Sequence, residues 1–240
     1  MHVEVPPVIL VELGLAIWII YTWDHLNDAK VGVEIRSFRH QFHQRYQQLL
    51  LGGMVLALLV GAILVYFMPV RTIYLGVMLS VFVLIYFAII QFNRRFYHKE
   101  TLIAIVYTLG VFIGPYSCAT DVPTMFLIAC FFNVMVIAFI NLMVFSEFEK
   151  AQDEMAGYPS LARALGGFAT KLITWLLIGQ LVILAVLYVG RVIDTDVAAC
   201  FALMNLILCL VYFGKKFSER NEYYRVLGDG IFFIHMAFLL

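Results

Sequence analysis

Long apolar stretches alternate with shorter polar ones along the whole chain, and the apolar stretches have the length of a bilayer. A helix needs about 20 apolar residues to cross the hydrocarbon core. Eight stretches approach that length: 7–23, 47–68, 71–91, 101–119, 122–146, 167–190, 194–213 and 227–240, the first and last being short. Pro69 and the Gly190-Arg191 pair mark tight connections, and Pro115 and Pro123 bracket another. The longer polar stretches are 24–46, 92–100, 147–166 and 214–226. This pattern predicts an all-α polytopic membrane bundle of about eight transmembrane helices, forming one domain over 1–240.

Charge orients the bundle. Fourteen of the sixteen Lys and Arg residues fall in those polar stretches or at the adjoining Lys171; only Arg71 and Arg191 lie on the opposite side. Cytoplasmic loops carry the excess of Lys and Arg. The polar stretches are therefore expected in the cytoplasm and the N-terminus outside. Composition agrees: 63% of residues are hydrophobic and 13% charged, against about 25% charged in a soluble domain. That excludes a separate soluble module. The net charge is zero, so the total names no partner, and no nucleic acid is expected. The residues 1–7 lack a positive n-region, so the first apolar stretch is expected to be retained rather than removed as a signal peptide. Cys118, Cys130, Cys200 and Cys209 make no CxxC pair and are expected as buried thiols. Free cysteines and this topology fit a bacterial inner membrane.

The candidate chemistry lies at the ends of two apolar stretches. Asp24-His-Leu-Asn-Asp28 closes the first, and Glu149-Lys-Ala-Gln-Asp153 follows the fifth. Residues four apart share a helix face, so each pair can present two carboxylates together if its helix runs on. Carboxylates near a bilayer are costly. Two such pairs on one side could hold a divalent metal over a polyanionic substrate. Magnesium takes oxygen ligands and binds through one or two carboxylates plus substrate phosphates. The bland alternative is an acidic helix end paired with Lys30 or Arg36, and a charged loop at the second motif. Two motifs on one side weigh against that alternative for both. Glu147 and Glu154 are expected to be solvated.

Arg94, Arg95 and Lys99 follow the third apolar stretch and could bind phosphate oxygens, although positive-inside topology alone gives the same pattern. Arg36, Arg39, His40, His43 and Arg45 form a second basic stretch. His40 and His43 lack a third ligand at metal spacing. Glu12 is an acid inside the first apolar stretch. Asn133, Asn141, Gln180 and Asn205 are expected to hydrogen-bond between helices. Some of the many aromatic rings could shield a carbocation.

These residues together resemble the UbiA superfamily of intramembrane prenyltransferases. That family carries two aspartate-rich motifs at cytoplasmic helix ends, of the forms NDxxDxxxD and DxxxD. Here the first keeps Asp24 and Asp28, with Ile20 and Tyr21 at the leading Asn-Asp positions; the second keeps Glu149 and Asp153. The tail Gly157-Tyr-Pro-Ser160-Leu-Ala is similar to the family's Gly-x-x-Ser. The basic residues at 94–99 and 36–45 stand where the family has basic segments. The likeness covers roughly 18–212, with one span fewer than the family's usual nine.

The resemblance implies an isoprenyl diphosphate donor with its chain among the helices, and a lipophilic acceptor. Asp24, Asp28, Glu149 and Asp153 would hold Mg²⁺ as the catalytic acids. Arg36, Arg39, Arg94, Arg95 and Lys99 would bind the diphosphate. A UbiA-type terpene cyclase, a non-catalytic membrane lipid-binding protein and a small transporter remain alternatives at this level. A transporter would show broken helices in related halves, and no internal repeat stands out.

Overall fold

The apolar stretches are helices, and their ends follow local chemistry. Pro7 opens the first helix at its first position, where a missing N–H costs nothing. Asp194 caps another, its carboxylate accepting from Val197 N at 3.0 Å. A computed structural model describes residues 4–28, 38–92, 96–119 and 122–234; of residues 27, 28, 38–41, 90–92, 156 and 221 it describes the backbone alone. Seven helices in it are long and apolar enough to cross a membrane. They match seven of the eight expected spans. The eighth, 227–240, begins in a short terminal helix and then leaves the described residues. Among the described residues there is no strand.

The contacts gather into two units. The first holds α1 (Pro7–Asp28), α2 (Phe38–Arg45) and α3 (Gln47–Leu64, running into a tighter turn at Val65–Phe67). It also takes the start of α4 (Val70–Phe92) and the end of α5 (Lys99–Cys118). Its helices meet at small residues. A Cβ on Gly61 would lie 3.0 Å from a Glu12 carboxylate oxygen, so Glu12 crosses to α3 where a side chain is missing. A Cβ on Gly114 would stand 3.1 Å from Val5 and 3.2 Å from Ile9. Thr72 and Ser117 share a hydroxyl hydrogen bond of 2.7 Å, and Arg71 sits 4.7 Å over the Tyr116 ring. Pro115, expected at a connection, lies inside α5 three residues before its end.

The second unit contains α6 (Thr124–Ala156), α7 (Leu161–Leu165), α8 (Phe168–Val189) and α9 (Thr195–Phe213). It continues with α10 (Lys215–Ser218) and α11 (Tyr223–Gly230), which ends in a tighter turn at Ile231–Phe233. The remainder of α4 and α5 belongs here too. Ile137, Ile140 and Met143 of α6 are fully buried, with Ile173, Leu177, Met204 and Leu208. On α8, by contrast, Ile178, Val182 and Val186 are all more than half exposed. A soluble protein rarely leaves so continuous an apolar face in water; a lipid-facing helix requires one.

Polar groups tie this unit together. Gln180 Nε2 donates to Asn133 Oδ1 at 2.8 Å between α8 and α6, and Asn205 Nδ2 donates to the Leu177 carbonyl at 3.2 Å between α9 and α8. Both pairs are the interhelical bonds expected from sequence. Asn141 departs from that expectation, because its Oδ1 makes no hydrogen bond among the described residues.

Candidate functional site

The second acidic motif lies on a helix that outruns the membrane. α6 has 33 residues, hence about 50 Å of rise, against a hydrocarbon core of about 30 Å. Its last part, expected as a polar connection from residue 147, stays helical through Ala156. Glu, Lys, Ala, Gln and Met are all good helix formers, so nothing stops the helix before Gly157. Gly157 takes the left-handed conformation (φ 74°) that favours glycine. The Tyr158 amide then bonds back to the Asp153 carbonyl at 2.9 Å and the Gly157 amide to Glu154 at 3.3 Å. Glu149 and Asp153 are thereby one turn apart on one continuous face.

The chain next folds back as α7, whose start is held by side chains from two other helices. Glu100 Oε1, from the first turn of α5, accepts the Leu161 amide at 3.1 Å. Ser146 Oγ of α6 accepts the Ala162 amide at 3.2 Å. These amides begin a helix and have no partner within it. Arg163 turns back to donate to the Tyr158 carbonyl, and to that of Asp153 at 3.2 Å. Glu100 is 3% exposed, and its second oxygen is buried with no hydrogen bond among the described residues. The buried Ser160 hydroxyl adjoins Asp153.

Asp153 is half-buried and feels the charges of Lys99, Glu149 and Glu100. Among the described residues its carboxylate makes no ion pair. Glu149 is placed differently. Its Oε1 accepts from Tyr224 Oη at 2.9 Å and pairs with Arg225 Nη2. Tyr224 stacks on Phe148 at 4.8 Å and meets Phe145 edge-on at 5.6 Å. Arg225 lies 5.7 Å over the Phe145 ring. Burial, and then the Glu149 charge, push the Tyr224 phenol above its ordinary range. One turn further along α11, Gly228 meets α6 so closely that a Cβ would collide with Asn141 Oδ1 and the Phe145 ring. Asn141, Phe145 and Glu149, spaced by four, form the stripe on which α11 docks.

Thus Lys99, Glu149 and Asp153, three of the residues singled out from sequence, come together in the second unit. Glu100, Tyr224 and Arg225 join them, and sequence reasoning gave none of the three a role at the site. Glu100 had a weak signal as an acid directly after Lys99. Arg225 was visible only as one of fourteen cations expected on the cytoplasmic side. Glu147, expected to be solvated, is half-buried, 3.7 Å from Lys150 and 3.4 Å from Thr170; Glu154 is exposed.

In the first unit, α1 does run on past Trp23, so Asp24 and Asp28 occupy one helix a turn apart. Asp24 is half-buried. The Asp28 side chain lies outside the described residues, as do Arg36, Arg94, Arg95 and the side chains of Arg39 and His40. His43 is buried, its ring 5.1 Å from that of His25.

Do these residues fit a metal ion? The donor set at the second motif is all carboxylate oxygen, which suits a hard cation such as Mg²⁺. Asp153 fits as a ligand. Glu149 has only Oε2 left for a metal, because its Oε1 already serves two donors. No group of three His, Cys, Asp or Glu that could hold a metal occurs among the described residues. A metal here would need oxygens from a bound phosphate to complete its shell.

No curated protein and no solved structure matches the chain. A model of the UbiA prenyltransferase family matches residues 8–236. With membrane-length helices throughout and nearly the whole chain matched, this protein belongs to the UbiA prenyltransferase family of integral membrane proteins.

Proposed function

We propose that the protein transfers an isoprenyl group from a prenyl diphosphate to a lipophilic acceptor inside the membrane. The observation that carries this reading is the charged cluster of Lys99, Asp153, Glu149 and Arg225. It gathers at one end of membrane-length helices in a chain of this family. A diphosphate headgroup suits that cluster, and an isoprenyl tail suits the apolar helices.

In the reaction, the bond between the allylic carbon and the diphosphate oxygen breaks. The electron pair leaves with the diphosphate. The acceptor's nucleophilic atom forms the new bond to that carbon and gives up a proton. Lys99, with Arg36, Arg39, Arg94 and Arg95 by the family pattern, would neutralise the leaving group. Such preorganised charge acts where charge develops. Asp153, with Asp24 and Asp28 by the family pattern alone, would serve as ligands for Mg²⁺, which supplies Lewis-acid stabilisation of the departing diphosphate. By the positive-inside rule the cluster faces the cytoplasm, and a bacterial inner membrane fits.

The test is release of diphosphate from prenyl donors by the purified protein. Asp153→Asn keeps the shape and removes the charge. It should lower turnover by about 100-fold or more while the protein stays folded. Unchanged turnover would remove Asp153 from the reaction.

A further inference from the structure

We propose that Arg225 is the cation of the second acidic motif: it occupies the seat at Glu149 that the family pattern gives to a metal, and binds the donor's diphosphate directly. This rests on the prenyl diphosphate reading and adds to it a residue that the family's acidic motifs do not include.

The first ground is how Glu149 is engaged. One of its oxygens receives both the Arg225 guanidinium and the Tyr224 hydroxyl. A carboxylate oxygen has about two lone-pair sites, so two donors fill it. A metal at Glu149 is left the other oxygen alone, beside a guanidinium charge that repels it.

The second ground is that Arg225 is held in place. Its side chain is 19% exposed. The Phe145 and Tyr224 rings flank it at 5.7 and 5.6 Å. Its helix is seated on α6 by the Gly228 contact and by the Tyr224–Phe148 stack. Glu222 stands 3.6 Å from its Nε. Desolvated, oriented guanidinium groups recognise phosphate well because their five donors lie in one rigid plane. Glutamate rather than aspartate at 149 also has a use here: the longer side chain reaches across to the neighbouring helix.

The third ground is distance. Glu149 and Asp153 are about 6 Å apart along the helix axis. A diphosphate can bridge that span, one phosphate on the metal at Asp153 and the other on Arg225.

The experiment uses the full chain in detergent, as wild type, Arg225→Gln, Arg225→Lys and Tyr224→Phe. Binding of inorganic pyrophosphate is measured by calorimetry in EDTA. Bound Mn²⁺ per protein is then counted by electron paramagnetic resonance at saturating pyrophosphate. Wild type should bind pyrophosphate without metal and hold one Mn²⁺. Arg225→Gln should weaken metal-free binding by about tenfold or more, the worth of a charge-assisted hydrogen bond. Arg225→Lys should recover part of it, and Tyr224→Phe should keep it. Two Mn²⁺ in the wild type would overturn the proposal, and so would equal metal-free binding by wild type and Arg225→Gln. The wild-type count needs no variant, so a folding failure of Arg225→Gln still leaves the proposal open to refutation. Absence of pyrophosphate binding both with and without Mn²⁺ would instead overturn the donor reading itself.

Discussion

Replacing Gly228 with alanine adds one methyl group where α11 meets α6, and no room is left for it. The new Cβ would stand 2.6 and 2.8 Å from two carbons of the Phe145 ring, and it would also strike Asn141 Oδ1. Carbon atoms pack best at about 3.5–4.0 Å, so the ring or the whole helix must move by about 1 Å. Overpacking of this kind costs about 1–3 kcal/mol. Helix propensity works the other way, since alanine is favoured over glycine by up to about 1 kcal/mol. Gly230 supplies the control. It lies in the same helix with helical φ and ψ, and a Cβ there meets nothing within 4 Å. Gly230→Ala gains the propensity without the collision, so it should be neutral or slightly stabilising. The difference between the two variants isolates the collision at about 1–3 kcal/mol. Hydrogen exchange of the α11 amides reads local undocking directly. They should exchange roughly 5 to 150 times faster in Gly228→Ala than in Gly230→Ala. Equal protection in the two proteins would refute the docking of α11 on the Asn141–Glu149 stripe, and with it the placement of Arg225.

Two further outcomes follow from the polar contacts of the second unit. Gln180→Leu removes the 2.8 Å bond to Asn133 and leaves a buried amide oxygen without its donor, at a cost of about 1–2 kcal/mol. The double variant with Asn133→Leu should cost less than the two single changes summed; strict additivity in denaturant unfolding would deny the pairing. Glu100→Leu removes the side chain that accepts the Leu161 amide, whereas Glu100→Gln keeps an acceptor. Amides 161 and 162 should lose hydrogen-exchange protection in the leucine variant only, by about 1–3 kcal/mol. Equal loss in both would show that the carboxylate, not the acceptor, matters there.

Hydropathy made most of the fold legible because a bilayer imposes one length on every spanning helix. Seven spans were readable on that basis; the continuation of α1 through Asp28 was only a condition of the acidic-motif reading. The same signal misplaces helix ends wherever a helix leaves the membrane. Residues 147–156 are polar, yet they extend α6. Polarity marks where lipid stops, and only Gly157 marks where the helix stops. The acidic pair on that extension was legible from its four-residue spacing. Its partners were not. Arg225 and Glu149 are 76 residues apart, and no local pattern encodes which of sixteen cations reaches which acid. Glu100 was hidden for a related reason: its role is to receive the Leu161 amide, 61 residues away. Gly228 fell at the start of the expected span 227–240 and carried no signal of its own. Its meaning depends on Asn141 and Phe145 lying opposite it, which only tertiary packing decides.

The most direct test of the central claim is the thermal stability of the detergent-purified protein with Mg²⁺ and geranylgeranyl diphosphate, added separately and together. A ligand bound only by the folded state stabilises it by about 2.7 kcal/mol at one hundred times its Kd. The account predicts a clear rise in Tm that is largest with both added and is lost in Asp153→Asn. No rise with donors of several chain lengths would contradict it, leaving the family's architecture without the family's substrate.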